Sequence, residues 1–352
     1  MAGNRQHILP RFLLKGFASR IEREKIFTWV SRKGTKPFET TVENVSVEKY
    51  FYGKQGELSA DGKITELEAG YARLINEIRG MGDSNQVIDP ALPDFVAHLV
   101  VRTKQLRQFF RESADYLLDE LTNYLSEPAN LKRLLLSRPT TIEEELGRLM
   151  KNIDLPEELK EMLPALVEHY APTLLDEGMP EFRSTLKGLM ADMKQMLPKA
   201  IKEGHIKSLA NHPVPETRSD SYRTLKWFVL RSQSPLILGD TGCLFEIEGQ
   251  RRFKPSDDKG DQIVNIYLPI ASHRLLVGTS HASVPLVDVT EVNNAIAKCA
   301  YEYFVSSTSC ETVDDLTASI GLWSGLLTKN EMETLLAEIV EDIDRVPGSL
   351  GG

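Results

Sequence analysis

Three features of the 352 residues predict an α+β fold that is predominantly helical. Short stretches of period-two alternation lie toward both ends of the chain, long stretches of helical apolar spacing lie between them, and the middle is helical text broken by proline. "EKIFTWVSR" and, across Gly34 and Pro37, "PFETTVE" alternate apolar and polar residues with β-branched and aromatic content, as a short N-terminal hairpin does. From Thr65, Leu67, Tyr71, Leu74, Ile75 and Ile78 repeat at helical spacing, and the run closes at Gly80. After Pro93 the stripe of Phe95, Leu99, Leu106, Phe109, Phe110, Leu117, Leu121 and Leu125 predicts one central helix. It would hold about 30 residues and run roughly 45 Å.

Between 128 and 222 the helical pieces are divided by proline. "TTIEEELGRLMKNI" carries a capping-box pattern from Thr141 to Glu144, and "LPEELKEMLPALVEHY" has proline at a first helical position. This stretch reads as an inserted helical subdomain, with "NHPVPETRSD" as the loop out of it. Period two returns in "LKWFVLRS", "PLILGD", "CLFEIEG", "IVNIYLPI" and "HRLLVGT", which predict a small C-terminal antiparallel or mixed sheet. "VTEVNNAIAKCAYEYFVSS" resumes helical spacing through Val292, Ile296 and Tyr303, and "KNEMETLLAEIVEDIDRV" is a final acidic amphipathic helix. The expected organisation is an N-terminal hairpin and helical core at 1–127, the inserted subdomain at 128–222, and a C-terminal sheet with helices at 223–352 that packs with 1–127 as one domain.

Hydrophobic residues at 41% and charged ones at 26%, without a low-complexity tract, match a soluble globular protein. No run approaches the roughly 20 apolar residues that cross a bilayer, so no membrane span is expected. Cys243, Cys299 and Cys310 lack CxxC spacing and no secretory leader is recognisable, which reads as reduced structural thiols in a cytoplasmic protein. Residues 1 to 36 hold nine Lys/Arg against Glu22 and Glu24, about +7, which leaves about −16 for the rest of a chain of net charge −9. The basic opening is expected to pair with that acidic remainder, the alternative being attraction of an anionic ligand.

There is no GxxxxGK[ST] phosphate loop, no strand-coupled GxGxxG, no HExxH and no GxSxG, so nucleotide triphosphatase, Rossmann dehydrogenase, zincin and α/β-hydrolase readings lose support. "GDTGCLFEIEG" places Asp240, Glu246 and Glu248 on a strand pair, as in metal-dependent nucleases, but Gly249 and Gln250 stand where such a site wants a lysine. His205 and His212, the closest histidine pair, read as solvated rather than metal-ligating. Arg102 shares the stripe of the long helix with Phe95, Leu99 and Leu106, with His98 one turn earlier. A guanidinium facing a core needs a partner. It either fastens a helix end or the subdomain by hydrogen bonds, or holds a carboxylate or phosphate in a bidentate fork. Glu66 and Glu68 open the first helix, where carboxylates favour the helix dipole; they are also candidate partners for Arg102 or His7, or a general base.

Taken in order, several segments resemble the proteins grouped as domain of unknown function 4238. "QHILPRFLLKGFA" is similar to that family's H-x-x-P-x-x-x-L-x-x-F signature, "VENVSVEKYFYG" to its N-V-x-x-E-x-x-F-Y stretch, "ELEAGYARLINEI" to its acidic helix and "VVRTKQLRQ" to its Arg-Thr helix. "LKWFVLRSQSPLILGDTG", "IYLPIASHRLLVG" and "NNAIAKCAYEYFVSS" continue the order, so the resemblance covers about 7–110 and 225–308. The turn departs from the pattern, with Gly239 for the usual serine and Gly242 for the proline. The resemblance implies no agreed activity. Residue by residue it points to core positions such as Phe12, Phe17, Phe51, Tyr52 and Trp227, and to a polar set of His7, Glu68, Arg102 and Asp240.

Two classes of function follow. In the first, a hydrolase acts on a phosphate-bearing or nucleic-acid substrate: His7 is the acid/base, Arg102 binds the anion, and Glu68 with Asp240 holds a divalent metal or activates water. In the second, the protein is a non-catalytic ligand-sensing or protein-interaction component of a microbial defence or stress system. The polar set is then a buried structural network, and 128–222 or the 329–345 helix is the partner surface. A sequence pI near 5.5 and the lack of a helix-turn-helix disfavour sequence-specific DNA binding. "RQHILPRFLLKGFA" is expected to be integral to the fold, anchored by Ile8, Leu9, Phe12, Leu13 and Phe17, with His7 as a tethered core histidine or the edge of an active site.

Overall fold

The computed structural model describes residues 5–54, 59–130, 157–249, 251–327 and 329–344. The capping box expected at Thr141 to Glu144 lies outside them. The chain divides into two compact units, Met1–Phe110 with Ala200–Leu326 and Arg111–Lys199 with Leu327–Gly352. In chain order the elements are β1 (Arg5–His7), α1 (Arg11–Leu14), β2 (Arg20–Glu22), β3 (Lys25–Arg32), β4 (Phe38–Thr41), β5 (Val47–Lys49), α2 (Asp61–Gly80), β6 (Asn85–Val87), α3 (Ala91–Val101), α4 (Lys104–Ser126), α5 (Glu157–Asn211) and α6 (Glu216–Arg223). There follow β7 (Lys226–Arg231), β8 (Leu238–Gly239), β9 (Leu244–Ile247), β10 (Phe253–Lys254), β11 (Ile263–Ala271), β12 (Arg274–Thr279), α7 (Val289–Cys299), β13 (Tyr303–Ser306), α8 (Glu311–Asp314) and α9 (Lys329–Asp344).

The first unit is α+β, and its strand pairings are antiparallel. A six-stranded sheet has the order β10-β9-β11-β12-β7-β6, a second has β2-β3-β13-β8 with β4 also on β3, and β1 pairs β5. The C-terminal strands therefore do not form a sheet of their own. β6 from the N-terminal half closes onto β7, and β13 lies between β3 and β8. β13 also corrects the expected helix through Tyr303. The helix stops at Cys299, Ala300 is extended, and Tyr303–Ser306 are all buried. A short apolar run buried on both faces has no periodicity that separates strand from helix.

The predicted helix after Pro93 is two helices. Arg102 leaves helical geometry at φ −101°, ψ 12°, and the Thr103 hydroxyl accepts from the Leu106 amide at 3.2 Å, an N-cap that starts α4. Farther on, α5 passes through Pro164, Pro172, Pro180 and Pro198, where prolines were expected to divide it. Pro180 and Pro198 are exposed, so water can satisfy the carbonyl that each missing N–H leaves free. Cys243 and Cys299 are free and buried, Cys310 free and exposed. Among the described residues no helix is long and apolar enough to cross a membrane.

The basic opening segment is part of the core. Leu9, Leu13, Leu14 and Phe17 are fully buried with α2, α3 and β11 residues, while Arg11 pairs with Glu43 at 2.7 Å at the surface. Arg79 of α2 pins the segment to the sheet: Nε donates to Ile270 O at 2.8 Å and Nη2 to Phe12 O at 2.8 Å. Burial pulls its pKa down to about 10, so it stays charged at neutral pH. Gly16 sits under this clamp, where a Cβ would press on the Ile270 carbonyl and the Arg79 guanidinium. Gly16→Ala is therefore expected to lower the unfolding free energy by about 2 kcal/mol. Gly70→Ala, in an open stretch of α2, should raise it by up to about 1 kcal/mol. Urea unfolding of the two variants checks the pair, and a neutral Gly16→Ala would refute the clamp.

Candidate functional site

Arg102 stands where α3 ends, and its side chain is 1% exposed. Each arm of the guanidinium meets a partner. Nε donates to the Tyr52 hydroxyl at 2.9 Å, Nη2 to the His7 carbonyl at 2.8 Å, and Nη1 to His98 Nε2 at 3.0 Å. Nη1 also pairs with Glu68 Oε1 at 2.6 Å, and the Glu68 side chain remains 24% exposed. Burial opposes the Arg102 charge, but Tyr52 and Glu68 outweigh it and hold its pKa above the usual value. Tyr52 passes the bond on by donating to His7 O at 3.2 Å. Its own amide donates to Gln6 Oε1 at 2.6 Å, and Gln6 Nε2 donates to Gly53 O at 3.0 Å.

A second arginine repeats the construction one turn into α4. Arg107 Nη2 donates to Phe51 O at 2.8 Å, and its guanidinium carbon lies 3.6 Å from the Phe51 ring centroid. Arg107 Nε donates to His205 Nδ1 at 3.0 Å. In both pairs the histidine accepts from the arginine on one nitrogen and donates to a helix-end or loop carbonyl with the other. His98 Nδ1 donates to Pro213 O at 2.7 Å, and His205 Nε2 to Val101 O at 2.8 Å. These contacts fix each ring as one neutral tautomer. Burial first, then the neighbouring arginine, lowers His98 to about 3 and His205 to about 4. Burial and then Arg11 lower His7 to about 4, and burial lifts Tyr52 to about 12. His205 thus corrects the solvated reading: it is 8% exposed and closes the α3 carboxyl end.

Of the four residues read from the sequence, the structure brings three together: Arg102 bonds Glu68 through its side chain and His7 through the main chain. The His7 ring makes none of the Arg102 bonds, and its Nδ1 is buried without a hydrogen-bond partner. Asp240 belongs elsewhere. It follows β8, and its Oδ1 accepts from the Tyr301 amide at 2.7 Å while Oδ2 accepts from the Glu302 and Tyr303 amides at 2.7 and 3.3 Å. It ties the α7–β13 connection to the sheet. Burial pushes its pKa up to about 7, against the pull of those amides. The cleft beside it, shared with Ser46, Glu48, Lys104 and Glu302, has a volume of about 80 Å³, well below what a small-molecule site needs. Gly242, the departure from the family turn, has φ +78°, and a Cβ there would lie 2.9 Å from Leu99 Cδ2.

Glu246 is likewise engaged, accepting from Asn265 Nδ2 at 2.7 Å, the Tyr267 hydroxyl at 2.5 Å and Arg252 Nε at 2.7 Å. Among the described residues no group of three or more His, Cys, Asp or Glu is placed to hold a metal ion, and Glu68 and Asp240 have different partners, Arg102 for the first and the amides of Tyr301, Glu302 and Tyr303 for the second. Sequence reading missed Gln6, Arg107 and His205 as members of the network. Arg102 and Arg107, five residues apart across the Thr103 cap, and the adjacent Phe51 and Tyr52 they engage, were the available signal.

Two outcomes test this geometry. Arg102→Lys, which cannot reach four partners in a fork, should lower the unfolding free energy by about 2–4 kcal/mol, and a loss under about 0.5 kcal/mol in urea would contradict the network. His98, His205 and His7 have folded pKa values below the unfolded 6.5, so unfolding takes up protons. Stability should be full above pH 6.5 and fall as the pH drops from there toward about 4. His98→Asn, which preserves one donor and one acceptor, should remove about one proton from that slope in pH-dependent denaturation.

Comparison with known proteins adds one result. No curated protein and no solved structure matches the chain. The family model described as "Protein of unknown function (DUF4238)" matches residues 5–309 in one span, which includes the helical middle as well as the N- and C-terminal segments that carry the motifs. That span covers well over half of the 352 residues, and the chain belongs to the DUF4238 family.

Proposed function

We propose that the protein is a non-catalytic interaction component, in which the polar set serves the fold and the second unit presents the partner surface. The observation that carries this reading is that all three guanidinium nitrogens of Arg102 are engaged by groups of the chain itself. A catalytic or anion-binding arginine must keep donors for its substrate, whereas every arm of this guanidinium is engaged with protein and its side chain is 1% exposed. Asp240, with both oxygens taken by backbone amides, is in the same position.

The second unit supports the rest of the reading. In α5, Met179, Phe182, Leu186, Leu189, Met193 and Met196 follow an alternating three- and four-residue spacing, the pattern of a helix-packing seam. Met179, Leu186 and neighbouring Met190 are covered, with Leu118, Leu121, Tyr124 and Leu125 of α4 in the same cluster. Phe182, Leu189, Met193 and Met196 are 42%, 55%, 44% and 70% exposed, which leaves four of the six seam positions open. Such an open seam fits an amphipathic helix of a partner.

The full chain, with and without Mg²⁺ or Mn²⁺, should hydrolyse phosphomonoesters, phosphodiesters, nucleotides and nucleic acids no faster than buffer. Turnover that disappears in folded Glu68→Gln would overturn the reading. In cells, a photo-crosslinking residue in place of Met196 should yield one discrete adduct, and the same residue in place of Ser184 none. Equal yields from both positions would also count against it.

A further inference from the structure

The open seam of α5 has two unlike borders. With about 3.6 residues per turn, Leu186 and Met190 lie roughly 60° and 100° to one side of Leu189. Both are covered, in the cluster that holds Leu118, Leu121, Tyr124 and Leu125 of α4. Arg183 and Lys194 fall farther round on that side, about 120° and 140° from Leu189, and Lys194 is paired with Asp119 of α4. The border on the other side faces water and is acidic. Asp192 lies about 60° from Leu189 and Glu181 about 80°, and both are exposed, as is Glu177 one turn before Glu181.

Among the described residues none of these three carboxylates has a cation within ion-pair distance. Lys199, at the carboxyl-terminal end, is the basic residue of this border, so three negative charges stand against one positive. The apolar strip beside them, from Phe182 to Met196, runs about 21 Å, the length of a helix of about 15 residues. Met193 and Met196 give the strip a deformable floor, because thioether side chains repack around different apolar partners. Shape therefore discriminates weakly, and charge is left to do so. A second copy of α5 does not supply the complement. Paired antiparallel about a two-fold axis, it sets Glu181 and Asp192 against the same residues of the copy, and like charges repel. Nucleic acid and anionic lipid meet the same repulsion.

We propose that the seam takes a basic amphipathic helix of a partner protein, with its apolar face on Phe182, Leu189, Met193 and Met196 and its lysine or arginine residues along Glu181 and Asp192. This assignment rests on the seam being a partner surface and adds the chemistry of the partner.

Helical peptides of about 15 residues, with one apolar face in common and lysine, glutamine or glutamate at the margins, test it by fluorescence anisotropy against the full chain. The lysine peptide should bind about fivefold more tightly than the glutamine peptide at low salt, and the glutamate peptide more weakly than either. The advantage should fall below about twofold near about 0.5 M salt. Glu181→Lys with Asp192→Lys should reverse the order of the lysine and glutamate peptides. Glu66→Lys with Glu77→Lys, both exposed on α2, changes the net charge equally and should leave the order as it is. Leu189→Asp should weaken every peptide by about tenfold or more. Equal binding of the lysine and glutamine peptides, an order unmoved by Glu181→Lys with Asp192→Lys, or an order reversed as well by the α2 pair would overturn the basic partner. In each of those cases weakened binding in Leu189→Asp would still uphold the seam. No binding by any peptide would overturn the basic partner too, and absence of the Met196 adduct in that case would remove the seam reading with it.

Discussion

A buried guanidinium tolerates few surroundings. Its charge cannot be removed near neutral pH, and taking it out of water costs several kcal/mol unless every donor is met. Arg102 imposes that requirement on four separate pieces of the chain, because its partners are the His7 carbonyl, the Tyr52 hydroxyl, Glu68 and His98. None of the four can shift alone without leaving a buried N–H unmet. The entry segment, the loop before α2, α2 itself and α3 are therefore registered against one another by a single side chain.

The same device recurs. Arg107 holds Phe51 O and the ring of His205, which in turn closes the Val101 carbonyl at the end of α3. Arg79 gathers Ile270 O and Phe12 O, and Asp240 gathers the amides of Tyr301, Glu302 and Tyr303. In each case the buried ion answers backbone groups of segments far apart in sequence. Chain ends and breaks leave such groups unpaired, and a fold with many short elements has many of them. Neutral histidines complete the pattern, since only the uncharged ring can accept from an arginine and donate to a carbonyl at once.

This explains what the sequence could and could not reveal. Elements with several turns of unbroken periodicity were readable: Leu67 to Ile78 mark the buried face of α2, and the alternation of "KIFTWVSR" marks β3. The break at Arg102–Thr103 was not, because the apolar stripe continues across it and only the Thr103 hydroxyl capping Leu106 interrupts the helix. β13 was hidden because four residues buried on both faces look the same in either conformation. Among the candidate residues, the grouping of Arg102 with Glu68 could be anticipated from the need of a core guanidinium for a carboxylate. The separation of Asp240 could not, since nothing in "GDTG" shows that its oxygens face the start of β13 from 61 to 63 residues away.

The buried charges of Arg102, Arg107, Arg79 and Asp240 are met by side chains and backbone groups of the chain itself. Recognition is then to be sought where interactions are left open. One place in the second unit meets that condition. On α5 the opening is apolar: a helical seam continues past the residues that are covered, and water faces Leu189 and Met196 without compensation. The contrast with Arg102 is the useful one. An arginine met on each of its nitrogens by groups of its own chain ties the fold together, and an apolar helix face left to water marks where covering it lowers the energy of the folded state.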